Sequence, residues 1–246
     1  IDEAESNELK RASIDNVAAA AAGDIAEAFE RLLSRITGKA VRELFDNAIG
    51  ARRKFARADA IGWRALGGEV AEALDLKESA PPSIGDVVRL IDSFDLDELK
   101  LLMSSGSATT RDAAAKIDHF RDAAGDKEKF ETIKPVFLTK ALEPRKDVIS
   151  KAGATANQDF AEKIRRLQND ILVAFDRIRA AEALKDTLAL YKLLERCFAN
   201  YDSMKAARAS LDFDDLIAKS RALLRSKGGA LWVLYKFVLG LAHILL

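Results

Sequence analysis

Apolar side chains recur every three or four positions along most of the chain, which is the spacing of one face of an α-helix. In the N-terminal part, this spacing is followed by Ile25, Phe29, Leu32 and Ile36. An alanine-rich run at residues 18–22 also favours helix, and Gly23 ends it. The pattern predicts an all-α fold.

The C-terminal half of the chain has the most regular pattern, and no Gly or Pro occurs from Ala154 to Lys227. Its two apolar series are Phe160, Ile164, Leu167, Ile171, Phe175 and Ile178, and then Leu184, Leu188, Tyr191, Leu194, Phe198 and Tyr201. We expect long amphipathic helices here, although the spacing does not locate the breaks between them. Cys197 falls within the second series, which predicts a core side chain rather than a nucleophile.

Capping residues and helix breakers divide the preceding part into shorter elements. Ser83 is followed three residues later by Asp86, and Asp95 precedes further acids, so each predicts a helix start. Residues 130–153 contain Pro135 and Pro144, and we expect irregular structure or short helices there. The expected architecture is an irregular multi-helix domain with long amphipathic helices in its C-terminal half.

Composition narrows the class of protein further. Hydrophobic residues make up 49% and charged residues 32% of the 246, which excludes a disordered tail. The 39 basic residues balance the 39 acidic ones, so no overall basic field indicates a nucleic-acid binder. A single cysteine fits a reducing compartment, and residues 1–5 do not resemble a signal peptide, so we expect a cytoplasmic protein.

The sequence predicts no catalytic residue and no metal ligand. Gly38-Lys39 lacks the Gly and the Ser or Thr that a phosphate-binding loop requires, and two histidines are too few for a histidine metal site. The acidic cluster of Asp212, Asp214 and Asp215 could hold a metal or act in acid–base chemistry. A helix start with Asp212 as the cap is the favoured interpretation, because no second set of ligands is visible nearby.

Two basic stretches are candidates for phosphate contact. The first lies between Gly50 and Gly68, and the second lies in the proline-containing region. The candidate residues are Arg52, Arg53, Lys54 and Arg57 in the first stretch, and Lys140, Arg145 and Lys146 in the second. On a helix, Arg53 and Arg57 share a face with Lys54 alongside, and a polyanion would relieve their repulsion. The alternative is that each stretch is an ordinary solvated face.

The final residues, 228–246, are apolar except for Lys236 and His243. A membrane helix needs about 20 apolar residues, and Lys236 lies near the middle of this segment. A buried helix followed by a buried strand is therefore favoured, with one continuous helix as the other possibility. A membrane anchor at residues 229–246 is a rival interpretation.

Several stretches resemble a known family. Residues 201–217, which include Tyr201, Asp212, Phe213, Asp214 and Asp215, resemble a segment of UvrD/Rep-type superfamily 1 DNA helicases. Residues 137–146, 231–236 and 243–246 are similar to the AddA subunit of bacterial AddAB helicase–nucleases. The resemblance implies that Tyr201, Asp212, Phe213, Asp214 and Asp215 are motif residues with a structural role.

The resemblance implies a function and a domain organisation. Residues 1–200 would form the helical accessory domain called 1B, and residues 201–246 would begin the return into the RecA-like core, before the Walker B motif. The parent would be an ATP-dependent helicase and exonuclease in recombinational double-strand break repair. Its ATP and Mg²⁺ would be held outside this chain, so no cofactor is expected here. At residues 237–242 the sequence departs from the family's polar, Gly-rich turn.

The partners implied are the backbone of double-stranded DNA and a partner helicase–nuclease subunit, and no membrane. Two other functions remain open from the residues themselves. One is a helical protein-interaction module without a DNA role, and the other is a membrane-associated protein anchored by residues 229–246.

Overall fold

A computed structural model describes residues 1–76, 80–226, 228, 231–233 and 235–236. In these residues the fold is all-α, with twelve α-helices, one 3-10 helix and no strand, as the apolar spacing predicts. The described residues divide into two compact units, one made of residues 1–67 with those from 186 onward, and one made of residues 68–185.

Thirteen helical segments follow one another along the described residues. The first are α1 (Glu3–Ala19), α2 (Asp24–Leu33), α3 (Gly38–Gly50), the 3-10 helix (Arg52–Phe55), α4 (Ala56–Ile61) and α5 (Trp63–Ala73). The next are α6 (Ile84–Asp92), α7 (Leu96–Ser104), α8 (Ala108–Asp122), α9 (Asp126–Phe137) and α10 (Lys151–Ala156). The last two are α11 (Gln158–Ala207) and α12 (Phe213–Arg225).

The first unit is built around the C-terminal part of α11. Leu9 of α1, Phe45 of α3, and Leu193 and Cys197 of α11 are all fully buried in its core. Burial raises the pKa of the Cys197 thiol to about 12, so the thiol stays protonated at neutral pH. The prediction of a core cysteine is confirmed.

The second unit has its own core, which the N-terminal part of α11 shares with α6 to α9. Phe120, Phe130 and Phe137 are buried there together with Ile164 and Ile171 of α11. The apolar series from Phe160 to Ile178 thus packs into or against this core, as the amphipathic pattern predicts.

Helix starts in the second unit agree with the capping residues. The Ser83 hydroxyl accepts a hydrogen bond from the backbone N–H of Asp86, whose carboxylate accepts one from the Ser83 backbone N–H. Asp95 caps α7 through the backbone N–H of Glu98. Both predicted helix starts are confirmed. They are recognisable from sequence because a capping side chain binds backbone donors of its own first turn.

Other element boundaries differ from expectation. Helix α2 ends at Leu33, so Ile36 lies outside it and is partly exposed. Pro135 lies within α9 rather than ending it. The expected long helices are a single 50-residue helix, α11, followed by α12.

No helix among the described residues is long and apolar enough to cross a membrane. The predictions of a strand or a continued helix at residues 237–246 fall outside the described residues, as does most of the segment proposed as an anchor. The predicted domain boundary at residue 201 lies inside α11.

Candidate functional site

The first basic stretch does not form one helix. Arg52, Arg53 and Lys54 lie in the 3-10 helix, whereas Arg57 lies in α4. The four-residue spacing of Arg53 and Arg57 therefore does not place them on a common helical face, because the backbone changes its winding between them.

Acidic side chains neutralise part of this stretch. The Arg52 guanidinium pairs with Asp202 and lies 5.3 Å from the centre of the Phe198 ring. Burial by itself would lower the pKa of Arg52, but the hydrogen bond that it donates to Asp202 and the nearby negative charges together raise that pKa. The Arg53 Nε atom lies 3.0 Å from the Asp214 carboxylate. Arg52 and Arg53 are thus already paired with acids of the chain.

The residues Asp212, Phe213, Asp214 and Asp215 form the start of α12. The Asp212 carboxylate accepts a hydrogen bond from the Asp215 backbone N–H at 2.8 Å, and Asp215 accepts one from the Asp212 backbone N–H at 3.2 Å. This reciprocal arrangement is a capping box. Asp214, in the first turn, lies where the helix dipole favours a negative charge. The interpretation of the acidic cluster as a helix start is confirmed.

A buried lysine connects this helix start to α11. The Lys205 ammonium group donates to Asp212 at 2.9 Å and to Asp215 at 2.6 Å, and its side chain is only 6% exposed. Tyr201 donates to Asp212 at 3.0 Å, and its hydroxyl also lies 3.0 Å from that of Ser6. Tyr201 and Asp212 therefore have a structural role in joining α1, α11 and α12.

The cavity beside this cluster has a volume of about 810 Å³ and mixed charge. Its charged lining residues are Arg52, Arg53, Lys205 and Lys219, with Asp59, Asp202, Asp212, Asp214 and Asp215. In the described part of the chain, no group of three or more acidic, His or Cys side chains is arranged to hold a metal ion. An anion would meet these carboxylates as well as the cations, so the cavity is a poor phosphate site.

Phe213, which the sequence resemblance also singled out, is 74% exposed at the start of α12. Leu216 and Leu224 of the same helix are also about half exposed, and α12 contains no buried residue. This helix therefore has an apolar face that the described residues leave open.

The second basic stretch has a different environment. After α9, the chain forms a narrow turn in which Leu138 and Pro144 pair as an isolated antiparallel bridge. The Thr139 backbone N–H donates to the Glu143 carbonyl at 2.8 Å, and the Arg145 backbone N–H donates to the Phe137 carbonyl at 2.9 Å. The loop backbone is consequently ordered by its own hydrogen bonds, with Lys140 exposed at the turn.

A groove of about 400 Å³ opens beside this loop, within the second unit. Its charged lining residues are Arg145, Lys146, Lys151 and Arg165, with Asp147 as the one acid. None of the four cations has an ion-pair partner among the residues that the structure describes. Lys140 does not line the groove, so the structure brings together two of the three predicted loop cations.

Sequence reasoning missed Lys151 and Arg165. Arg165 lies on the solvent side of α11 in the Phe160–Ile178 apolar series, and Lys151 begins α10. Lys151 stands alone, whereas Arg165 lies with Lys163 and Arg166 in a basic run that residue spacing does not distinguish from an ordinary helix surface. Their placement beside Arg145 depends on how α11 packs against the loop, which residue spacing does not reveal.

The Gly38-Lys39 pair does not form a nucleotide site. Gly38 is the first residue of α3, and the Thr37 hydroxyl accepts a hydrogen bond from the Ala40 backbone N–H. Lys39 lies 3.7 Å from Glu43. These residues form an ordinary capped helix start, and they do not fit the phosphates of ATP.

No family model, curated protein or solved structure matches this chain. The resemblance of residues 137–146, 201–217, 231–236 and 243–246 to superfamily 1 helicases therefore stays an expectation from the sequence.

Proposed function

We propose that this chain is a helical accessory segment of an AddA-like DNA helicase–nuclease, and that it contacts the phosphate backbone of duplex DNA through the groove beside the 138–145 loop. The observation that supports DNA contact is the set of four cations that line this groove, with one acid and no ion pair among the described residues. The assignment to recombinational double-strand break repair follows from the family resemblance.

The physical argument concerns the charges that line the groove. Cations without internal partners repel one another, and binding a phosphate relieves that repulsion and releases counterions from the DNA. Lys and Arg that meet phosphates position a protein on DNA without reading its bases. We therefore expect binding to be independent of sequence and sensitive to salt.

The groove is a better candidate than the Arg52–Arg57 stretch. Arg53 is 67% exposed but already lies beside Asp214, and Arg52 is held by Asp202 and Phe198. A phosphate that approached Arg52 would have to displace a carboxylate and pass near others, which offsets the gain. In this proposal, the partner subunit and the ATPase core would supply the helicase and nuclease activities.

The experiment compares two double variants that each remove one Arg and one Lys. Arg145→Gln with Lys146→Gln alters the groove, and Arg53→Gln with Lys54→Gln is the matched control. Binding of the full chain to a fluorescent duplex of mixed sequence is measured at several salt concentrations. We expect the groove variant to reduce the slope of log affinity against log salt by about two, because about 0.9 ion is released per phosphate contact. The control should keep the slope of the wild type.

If the control variant reduces the salt slope while the groove variant keeps the slope of the wild type, the DNA contact belongs to the Arg52–Arg57 stretch. Absence of wild-type binding even at low salt would contradict the proposal. That result would favour the alternative of a protein-interaction module, for which the exposed apolar residues of α12, including Phe213 at 74%, provide an observation.

A further inference from the structure

Gln168 is the one polar residue among the neighbouring buried positions of α11, and it faces the loop that carries Arg145. It is only 3% exposed and follows Leu167 in the core-facing series. An amide in this position costs free energy unless its donors are satisfied. Its environment therefore has to provide acceptors.

The side chain meets both ends of the loop. The Gln168 Nε2 atom donates to the Phe137 carbonyl at 2.7 Å and to the Arg145 carbonyl at 2.9 Å. The Phe137 carbonyl also accepts from the Arg145 backbone N–H at 2.9 Å. One amide group thus closes the loop at its base and ties it to α11.

This connection lies next to the cations of the groove. The held carbonyl belongs to Arg145, Lys146 is the next residue, and Arg165 lies three residues before Gln168 on the same helix. Residues three apart on a helix are neighbours, so Arg165 and the amide are on adjoining parts of one surface. Gln168 itself is part of the groove wall.

We propose that Gln168 is the positioning residue of the phosphate groove: its amide holds the loop so that the Arg145 and Lys146 side chains stand beside Arg165. This inference rests on the proposed function. Gln168 does not contact the phosphate in the proposal, because its two amide hydrogens are used by the loop carbonyls.

The test uses Gln168→Met, which keeps the length of the side chain but removes both donors. The control is Ile171→Ala, a buried residue of the same helix one turn further on. Both variants lose stability, but only Gln168→Met disturbs the loop. We expect Gln168→Met to weaken duplex binding about tenfold and to lower the salt slope by at least one, while Ile171→Ala keeps the slope of the wild type.

A second variant and a second measurement separate positioning from general destabilisation. Gln168→Asn is one methylene shorter and reaches at most one carbonyl, so it should give an intermediate loss. Hydrogen exchange of the Arg145 amide is measured in the folded proteins, without DNA. We expect it to be at least tenfold faster in Gln168→Met than in Ile171→Ala.

The outcomes distinguish the two proposals. If the wild type binds DNA and folded Gln168→Met binds with the same slope, the positioning role is wrong and the groove stands. If the wild type does not bind, the proposed function is wrong, and the exchange rate at Arg145 still decides whether Gln168 holds the loop. Equal exchange rates of the Arg145 amide in Gln168→Met and Ile171→Ala would refute the claim that Gln168 holds the loop.

Discussion

Lys205 and Asp212 are the residues on which the start of α12 depends. Burial by itself would lower the pKa of Lys205, but its hydrogen bonds to Asp215 and Asp212 outweigh burial and raise that pKa. Burial would likewise raise the pKa of Asp212, yet the hydrogen bonds from Lys205 and from the Asp215 backbone hold it below its usual value. Both side chains are charged at neutral pH, and each depends on the other.

We expect Asp212→Ala to destabilise the protein much more than Asp214→Ala. Asp212 is the helix cap and the partner of a lysine that is 6% exposed. Losing both interactions should cost about 2–3 kcal/mol in the free energy of unfolding. Asp214 pairs only with an exposed arginine, so its loss should cost about 0.5 kcal/mol. Urea unfolding of the two variants measures the difference, and equal costs would contradict the assigned roles.

The charge of Asp212 leads to a separate prediction about how the stability of the protein depends on pH. Because its pKa is lowered on folding, the stability it contributes is present above its ordinary pKa of 3.8 and is lost as the pH falls through the folded value. Asp212→Asn keeps an oxygen for the cap but removes the charge. The stability gap between wild type and Asp212→Asn should be constant from pH 5 to 7 and shrink below about pH 4. A gap that persists unchanged to pH 3 would show that the charge is not responsible.

At the scale of elements, the end of α11 has an unusual residue. The Ser210 backbone N–H donates to the Lys205 carbonyl and the Ala209 backbone N–H donates to the Ala206 carbonyl, both at 3.0 Å. These two bonds form a Schellman motif, whose left-handed position is usually Gly. Here Ala209 occupies it with a φ of 47°. The turn between α11 and α12 therefore contains backbone strain.

Ala209→Gly should stabilise the protein. Glycine adopts positive φ without a Cβ clash, and the gain should be about 1 kcal/mol after the greater freedom of glycine in the unfolded chain is subtracted. Ala206→Gly is the matched control, because the same change inside the helix should cost about 1 kcal/mol. Thermal and urea unfolding of both variants test this. A loss of stability in Ala209→Gly would mean that the left-handed turn is not formed.

At the scale of the whole molecule, the chain has two units of different connectivity. Residues 68–185 are continuous and contain a complete core, to which residues 158–185 of α11 contribute Phe160, Ile164 and Ile171. The other unit combines residues 1–67 with residues from 186 onward. A continuous unit with its own core is able to fold alone.

We expect a polypeptide of residues 68–185 to be helical and to unfold cooperatively. A polypeptide of residues 68–157, which lacks the α11 side chains, should not, because Phe94 and Phe130 would lose the Phe160 and Phe175 rings against which they pack. Circular dichroism during urea titration compares the two. Non-cooperative unfolding of the longer polypeptide would show that its core depends on the other unit.

Local features of this protein were predictable from the sequence alone. The all-α fold, the core position of Cys197 and the helix starts at Ser83, Asp95 and Asp212 depend on spacing and on contacts within about four residues. Such interactions are present wherever the segment forms its helix, so their residues identify them. The sequence also showed that Arg145 and Lys146 belong to one basic stretch, because the two residues are adjacent.

Tertiary structure decided which of the charged side chains are paired with opposite charges. Arg52 meets Asp202 across 150 positions of sequence, which turns a basic stretch into a partly neutral one. Arg145 has no ion-pair partner in the part of the chain that the structure describes, lines the groove together with Arg165, and accepts a hydrogen bond at its carbonyl from a glutamine 23 positions away. The free energy of a charge depends on which groups surround it, and for these residues that is set by the packing of helices distant in sequence.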